Sequence, residues 1–249
     1  MNILVCISRV PDTASRILIG SDSKTIDPAG IKYVVNPYDE FGLEEALRLR
    51  TKNGGEVTAV TVGTAASTDV MRTALAMGAD KVVLIKSENE PTDSFYVAKN
   101  IAELAKEISP DLILCGRQSV DYDSFQMTSV LAELLDMPSV SIVSALTVDS
   151  DKLTAERDIE GGKETVEAPL PCIISAQKGL NEPRYPKLPD IMKAKRKAIE
   201  ERDAIPSEER VTISEMSILS KQRVGTILSD SDEDIAELVR LLHEDAKVI

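Results

Sequence analysis

Short apolar runs recur along the first part of the chain, each closed by glycine, proline or a polar loop. They are Ile3–Ile7, Val57–Val62, Val82–Ile85, Leu112–Cys115 and Ser139–Val143. Runs of this length suit strands buried on both faces of a parallel sheet. The intervals between them carry helical spacing. Phe41, Leu43, Ala46, Leu47 and Leu49 follow Asn36-Pro37-Tyr38-Asp39 and stop at Gly54-Gly55. Ser67–Met77 ends at Gly78, a residue suited to a helix C-terminus. Ser94–Ile108 places Val97, Ile101, Leu104, Ala105 and Ile108 on one face, and Asp123–Leu135 is the fourth helical stretch. Strand and helix alternate for roughly 140 residues, which predicts an α/β fold: a Rossmann-like, doubly wound, mainly parallel sheet. Ligands of such sheets bind beyond the carboxyl ends of the strands.

After Val143 the pattern changes. Leu146–Val148, Leu153–Asp158 and Glu164–Val166 are short and interrupted by polar residues, with Gly161-Gly162 between the last two, as in an antiparallel hairpin excursion. Pro171–Ser175 returns as an apolar strand. Leu180 to Lys197 reads LNEPRYPKLPDIMKAKRK. Pro183, Pro186 and Pro189 exclude an interior strand, because each removes a ladder donor and fixes φ. A surface loop leading into a helix is expected there, with Leu188 and Ile191 outward. Apolar residues on a preformed loop beside Lys193, Lys195, Arg196 and Lys197 have the build of a docking element. An ordinary loop before a solvated helix fits the same residues.

From about Glu200 to Leu228 apolar density drops, as in a linker or extended arm. Ser231 and Asp234 form a capping box pattern, and Ile235, Leu238, Val239 and Leu242 then share one helical face. A helix on such an arm either lays that stripe on a partner chain or folds it back locally. The pattern divides the chain into an α/β domain over 1–199, which includes the Pro-rich loop at 176–198, an arm over 200–228 and an amphipathic helix over 229–249.

Composition narrows the classes. The chain has 249 residues, 43% hydrophobic but only 3% aromatic with no Trp, so the core must come from Val, Ile, Leu and Ala. The start, MNILVCISRV, lacks the basic and long apolar regions of a signal peptide. No apolar run reaches the ~20 residues that span a bilayer, so a membrane-embedded protein is not expected. Cys6, Cys115 and Cys172 lie far apart in apolar runs without metal-ligand spacing. Buried thiols in a reducing, cytoplasmic setting, with no metal, are the expectation. A formal net charge of -13 argues against nucleic acid as a partner.

No catalytic set emerges. The single histidine, His243, sits beside Glu244 and Asp245 on the terminal helix, which disfavours Ser/His/Asp or Cys/His catalysis. Neither a Walker A sequence nor a G-x-G-x-x-G loop is present. One loop stands out: Gly116-Arg117-Gln118-Ser119-Val120-Asp121-Tyr122-Asp123-Ser124-Phe125-Gln126, between the fourth strand and its helix. Gly116 permits close backbone approach. Asp123 and Ser124 are expected to cap the helix, whose first-turn amides suit a phosphate. Gln118, Ser119 and Gln126 can hydrogen-bond a ribose or a base. A polar loop with a capping carboxylate and no ligand fits equally. Cys6 with Ser8 and Arg9, Asn36 to Asp39, and Val62-Gly63 followed by Thr64 end on the same edge, where the small Cys6 and Gly63 leave room for a flat adenine. A held mononucleotide suits this set better than a hydrolysed triphosphate.

Four segments together resemble one family, the beta subunits of electron transfer flavoproteins. They are Asn36-Pro37 leading to Leu43-Glu44-Glu45-Ala46; Arg72 to Asp80 (RTALAMGAD); Gly116 to Gln126; and Glu156 to Gly162 (ERDIEGG) together with Leu180 to Lys197. The resemblance covers nearly the whole chain. It implies an adenine nucleotide alpha hydrolase-like fold and pairing with an alpha subunit that holds most of a redox FAD. It implies too that the domain over 1–199 binds a nucleotide, that 176–198 is a recognition loop and that the helix over 229–249 packs on the partner subunit. It also implies a structural AMP, whose shell would comprise Cys6, Asn36, Pro37, Tyr38, Asp39, Val62, Gly63 and the loop from Gly116 to Met127. The Pro-rich segment looks like the family's recognition loop. Leu188 would be its apolar contact to an acyl-CoA dehydrogenase, with Pro189, Ile191, Met192 and Lys193 around it. Asp158 falls where the family has a glutamate that acts in flavin-domain mobility; the side chain here is shorter. Tyr122 and Phe125 are bulkier than is usual in the loop, and Thr13 stands where some relatives carry an aromatic.

By resemblance, then, the chain is an electron carrier subunit and not an enzyme. It would take electrons from flavoprotein dehydrogenases, as in fatty acid β-oxidation, and pass them to a membrane quinone oxidoreductase. A bifurcating branch of the family holds a second FAD in place of AMP. Its recognition segment usually lacks the Leu188-Pro189 and Met192-Lys193-Ala194-Lys195 pattern, so AMP is expected. An adenine-nucleotide hydrolase or ligase of the same fold, and a nucleotide-sensing module, are the competing classes.

Overall fold

The computed structural model describes residues 1–207, 210–219 and 225–249. The expected arm over 200–228 therefore lies partly outside the described residues. The described chain divides into two compact units, Met1–Glu215 and Met216–Ile249.

The first unit is built on a nine-stranded sheet in the order β11-β5-β4-β1-β6-β10-β7-β8-β9. β1 (Asn2–Cys6), β4 (Glu56–Gly63), β5 (Lys81–Lys86), β6 (Leu112–Gly116) and β10 (Cys172–Ala176) are its apolar, parallel heart. Successive side chains on a strand point to opposite faces. Ile3 and Val5 accordingly pack with Leu43, Leu47, Val70 and Met71 of α1 (Pro37–Asn53) and α2 (Thr68–Met77). Leu4 and Cys6 pack with Ile101, Leu104 and Leu131 of α3 (Ser94–Ile108) and α4 (Met127–Leu135). Helices thus cover both faces, as the alternation predicts for a doubly wound sheet.

Four features were not legible in the apolar pattern. First, β7 (Ser139–Val148) is one strand where two were expected. Its register shifts between Val143 and Ala145, and Ile142 has φ 64°. This bend lets one strand run parallel to β10 and antiparallel to β8 (Lys152–Ile159), which pairs in turn with β9 (Gly162–Pro169). Second, the polar loop after β1 contains β2 (Arg9–Pro11), paired antiparallel with β3 (Tyr33–Val35). Third, the start of the expected arm is β11 (Glu200–Asp203), parallel to β5. Its four charged residues carry no apolar signal; the backbone ladder holds it. Asn100 adds a side-chain bridge to the same stretch, accepting from the Ile205 amide at 2.8 Å.

The fourth is a correction at the site. α4 begins at Met127, not at Asp123. Asp123 and Phe125 have φ of 49° and 59°, which a right-handed helix does not tolerate. Asp123 and Ser124 therefore do not cap the helix; Gln126 occupies the N-cap position.

The Pro-rich segment leads, as expected, into a short surface helix, α5 (Leu188–Ala194), which lies on α2. In the second unit, Ser231 Oγ accepts from the Asp234 amide and starts α6 (Asp232–Arg240). Asp234 does not reach back to Ser231; it accepts from Ser229 instead. Ile235, Leu238 and Val239 are exposed along one side of this helix.

Candidate functional site

The strand order reverses beside β1: the chain goes outward through β4 and β5, then returns to place β6 on the other flank. Such a switch point opens a crevice at the carboxyl ends of the strands. Cys6 and Gly116 end the two strands that bound it.

Asn36 and Asp39 shape this crevice. Pro37 opens α1 at its first turn, where a missing amide hydrogen costs nothing. That start turns Asn36 and Asp39 inward, and both are buried. Asp39 accepts from the Ser8 amide at 2.7 Å and from the Gly116 amide at 3.0 Å, joining the ends of β1 and β6 through one carboxylate. Burial raises its pKa to about 7, against the hydrogen bonds from Ser8, Asn36 and Gly116, which favour the ionised form. Asn36 donates to the Gln118 carbonyl at 2.8 Å and accepts from the Val120 amide at 3.2 Å. The loop after β6 is therefore fastened at three backbone points to residues just before or within the first turn of α1.

Gly116 is required there. A Cβ would fall 2.1 Å from Asp39 Oδ1 and 2.7 Å from the Asp39 nitrogen. Gly63, at the end of β4, is similar: a Cβ would meet Ser67 Oγ at 2.5 Å. Two buried polar atoms at this edge, Arg117 Nε and Ser67 Oγ, have no hydrogen-bond partner. The Arg117 guanidinium lies 4.8 Å from the Phe125 ring centre and 5.9 Å from that of Tyr38. The outer loop closes on itself and on α3, with Gln118 donating to Asp123 and Ser94 bonded to Ser124 at 3.2 Å. The amides of Met127, Thr128 and Ser129 precede the first bond of α4, from the Val130 amide to the Gln126 carbonyl. Two buried polar atoms without partners, a helix first turn and a strand end that admits only glycine at Gly116 make this edge a candidate site, with the chemistry to take a flat, anionic ligand.

Cys6 and Cys115 are buried and free; a hydrogen bond with Cys115 is the main reason the Cys6 thiol is pushed up, followed by burial. They are inert thiols. A cavity at the opposite, amino ends of the strands is lined by Thr58, Lys81 and Arg202, among others. Its charges are already paired, Lys81 with Glu56 at 2.8 Å and Arg202 with Glu107 and Glu200. Among the described residues no group of His, Cys, Asp and Glu could hold a metal ion, and no helix is long and apolar enough to cross a membrane.

The electron transfer flavoprotein domain matches residues 24–207. The chain is 40% identical to the electron transfer flavoprotein subunit beta of Bacillus subtilis, over the whole of both chains. It is 39% identical to the mitochondrial subunit beta of Oryza sativa subsp. japonica, again over both whole chains. To the human subunit beta it is 38% identical, across 94% of this chain and 95% of the human one.

The chain belongs to the electron transfer flavoprotein family.

It is of the beta-subunit type, and as such a flavoprotein component of electron transport. Of the residues that the sequence singles out, Cys6, Asn36, Asp39 and Gly116 to Val120 converge on the switch point of this electron transfer flavoprotein chain. Tyr38 stands beside Arg117, and Val62 and Gly63 end the neighbouring strand. Asp121, Tyr122, Ser124, Phe125 and Gln126 are exposed on the outer loop. Leu188, Pro189, Ile191, Met192 and Lys193 form a separate exposed surface on α5. Asp158 is exposed near the end of β8, opposite Lys163. The sequence places Ser8 on this edge, where its amide meets Asp39, but gives no sign of Ser67. A lone serine has no periodic signal, and only the fold brings the Ser8 amide to Asp39.

Proposed function

We propose that this chain is the beta subunit of a heterodimeric electron transfer flavoprotein. It pairs with an alpha subunit and holds one structural AMP at the switch point. The observation that carries the reading is the unpartnered, buried Arg117 Nε in a loop already fastened by Asn36 and Asp39. A donor left dry and unpaired is costly, about 1–3 kcal/mol, and an adenylate would satisfy it. The residues that would hold AMP are Cys6, Asn36, Pro37, Tyr38, Asp39, Val62, Gly63 and Gly116 to Met127. The Met127–Ser129 amides suit its phosphate, and the glycine-floored strand ends suit its base. Asp39 braces the cradle from behind, since both its oxygens are used on backbone amides.

FAD, bound mainly by the alpha subunit, supplies the redox chemistry. This chain closes one side of that site, and Asp158 tunes how freely the flavin-bearing part moves. Electrons come from primary flavoprotein dehydrogenases of the acyl-CoA type and go on to a membrane quinone oxidoreductase. Leu188, Pro189, Ile191, Met192 and Lys193 meet the dehydrogenase. Leu188 stands 72% exposed, the state an apolar docking residue needs before it finds its pocket. The exposed stripe of α6 lies on the alpha subunit. Three free, buried thiols suit a reducing compartment, and we assign the protein to the cytoplasm.

The test is to co-express the two subunits, purify the complex and count FAD and AMP per heterodimer. One of each is expected. Two FAD and no AMP would point to the bifurcating branch. A colourless complex without adenylate would overturn the reading.

A further inference from the structure

The Pro-rich segment shows a costly face: Tyr185, Leu188, Ile191 and Met192 are all exposed, with Tyr185 at 94%. A segment with that composition would collapse or sample many shapes unless something held it. Residues of α1 and α2 outside the adenylate cradle hold it, and both belong to the stretches that carry the family resemblance. At its start, Arg184 grips Glu44 of α1 with two bonds, at 2.7 and 2.9 Å, and adds its own amide at 3.3 Å. Next to this, Asn181 donates to Glu45 at 2.9 Å and to the Phe41 carbonyl at 2.9 Å. At its end, Arg72 of α2 donates to the carbonyls of Ala194, at 2.7 Å, and Lys197, and Lys197 Nζ reaches the Ala79 carbonyl at 3.0 Å. The Glu44 side chain is only 5% exposed while that of Arg184 is 44% exposed, so the fixed partner belongs to the core and the gripped one to the segment.

We propose that Glu44 and Arg72 are positioning residues for electron transfer. They clamp the two ends of the docking segment to α1 and α2, so that Leu188 is presented in its binding conformation before a dehydrogenase arrives. This rests on the docking role proposed above. Neither residue touches flavin, adenylate or partner; each acts through the backbone of the segment. If only part of the population holds the binding-competent shape, apparent affinity falls by that fraction. Loosening a clamp therefore raises the Michaelis constant for the carrier and leaves turnover at saturation unchanged.

The experiment uses the purified heterodimer in wild-type, Glu44→Gln, Arg184→Gln, Arg184→Lys and Leu188→Ala forms. Arg184→Gln opens the same clamp from its half-exposed side, should Glu44→Gln fail to fold. Two quantities are read: the rate of tryptic cleavage after Lys187, and KM and kcat for the heterodimer as the substrate of an acyl-CoA dehydrogenase. The expected result is faster cleavage and a KM raised about tenfold in Arg184→Gln, with kcat and flavin content unchanged. Arg184→Lys, which keeps the charge but loses the fork, should fall between. Unchanged cleavage and KM in the clamp variants would overturn the proposal, as would faster cleavage with unchanged KM. The Leu188→Ala arm separates the two ideas. A raised KM there with none in the clamp variants sinks the clamp alone, whereas no change in Leu188→Ala sinks the docking role itself.

Discussion

Two carboxylates on helix α1 hold two different parts of the molecule, and they do so with opposite electrostatics. Asp39 faces the switch point and accepts from the Ser8 and Gly116 amides and from the Asn36 and Ser8 side chains; among the described residues it has no ion-pair partner, and burial drives its pKa up to about 7. Glu44 faces the docking segment. Burial works against its ionisation too, but the hydrogen bonds and charge of Arg184, with help from Arg48, outweigh it and hold the carboxyl below its ordinary value. Dipoles alone fix a rigid loop at the price of a strained charge, while an ion pair fixes a surface segment and stays charged. The loop after β6 is thus held by dipoles and the Pro-rich segment by an ion pair.

The sharpest way to break the comparison is at Gly116. Gly116→Ala drives a methyl group into Asp39 and should cost about 3 kcal/mol in stability. Adenylate should be lost with it, while trypsin sensitivity of the Pro-rich segment stays as in the wild type. Thermal unfolding, nucleotide content and proteolysis read the three. Retained adenylate in a stable variant would contradict the cradle. Asp39→Asn comes next. The amide can accept from one backbone group at most comfortably and turns a donor toward the other, for a loss of about 2 kcal/mol by denaturant unfolding. On the other side, Leu188→Ala should weaken docking by about 1–2 kcal/mol in kcat/KM, with stability within about 0.5 kcal/mol of wild type. A fall in melting temperature as large as that of Asp39→Asn would show Leu188 to be a packing residue.

The smallest and most telling effect is in pH. Asp39 has a folded pKa raised above its unfolded 3.8, so its contribution to stability is greatest below pH 3.8 and declines as pH rises to about 7. Glu44 has a folded pKa lowered from 4.5, so its contribution is present above pH 4.5 and is lost as pH falls through the folded value. The stability gap between wild type and Asp39→Asn should narrow with rising pH, and that between wild type and Glu44→Gln should narrow with falling pH. Slopes of the same sign would refute the contrast.

The parallel core was legible because its strands are apolar on both faces, and the helices because their faces repeat. The Gly116 loop was legible as a candidate site because a polar run sits where a parallel sheet offers its ligand. What escaped has a common cause. β11 is Glu-Glu-Arg-Asp and owes its place to a backbone ladder, which leaves no trace in side-chain pattern. The true start of α4 depends on left-handed residues at Asp123 and Phe125, and aspartate there looks like a cap. The bridging roles of Asp39 and Glu44 depend on partners 77 and 140 residues away.

β11 closes one margin of the sheet with four charged side chains, and β9, GKETVEAP, closes the other with Lys163, Glu164, Glu167 and a final proline. Unpaired strand margins invite other copies to add on, and charge and proline are what discourage it. Both rims of this sheet are therefore insulated against fibre-like stacking of one copy on another.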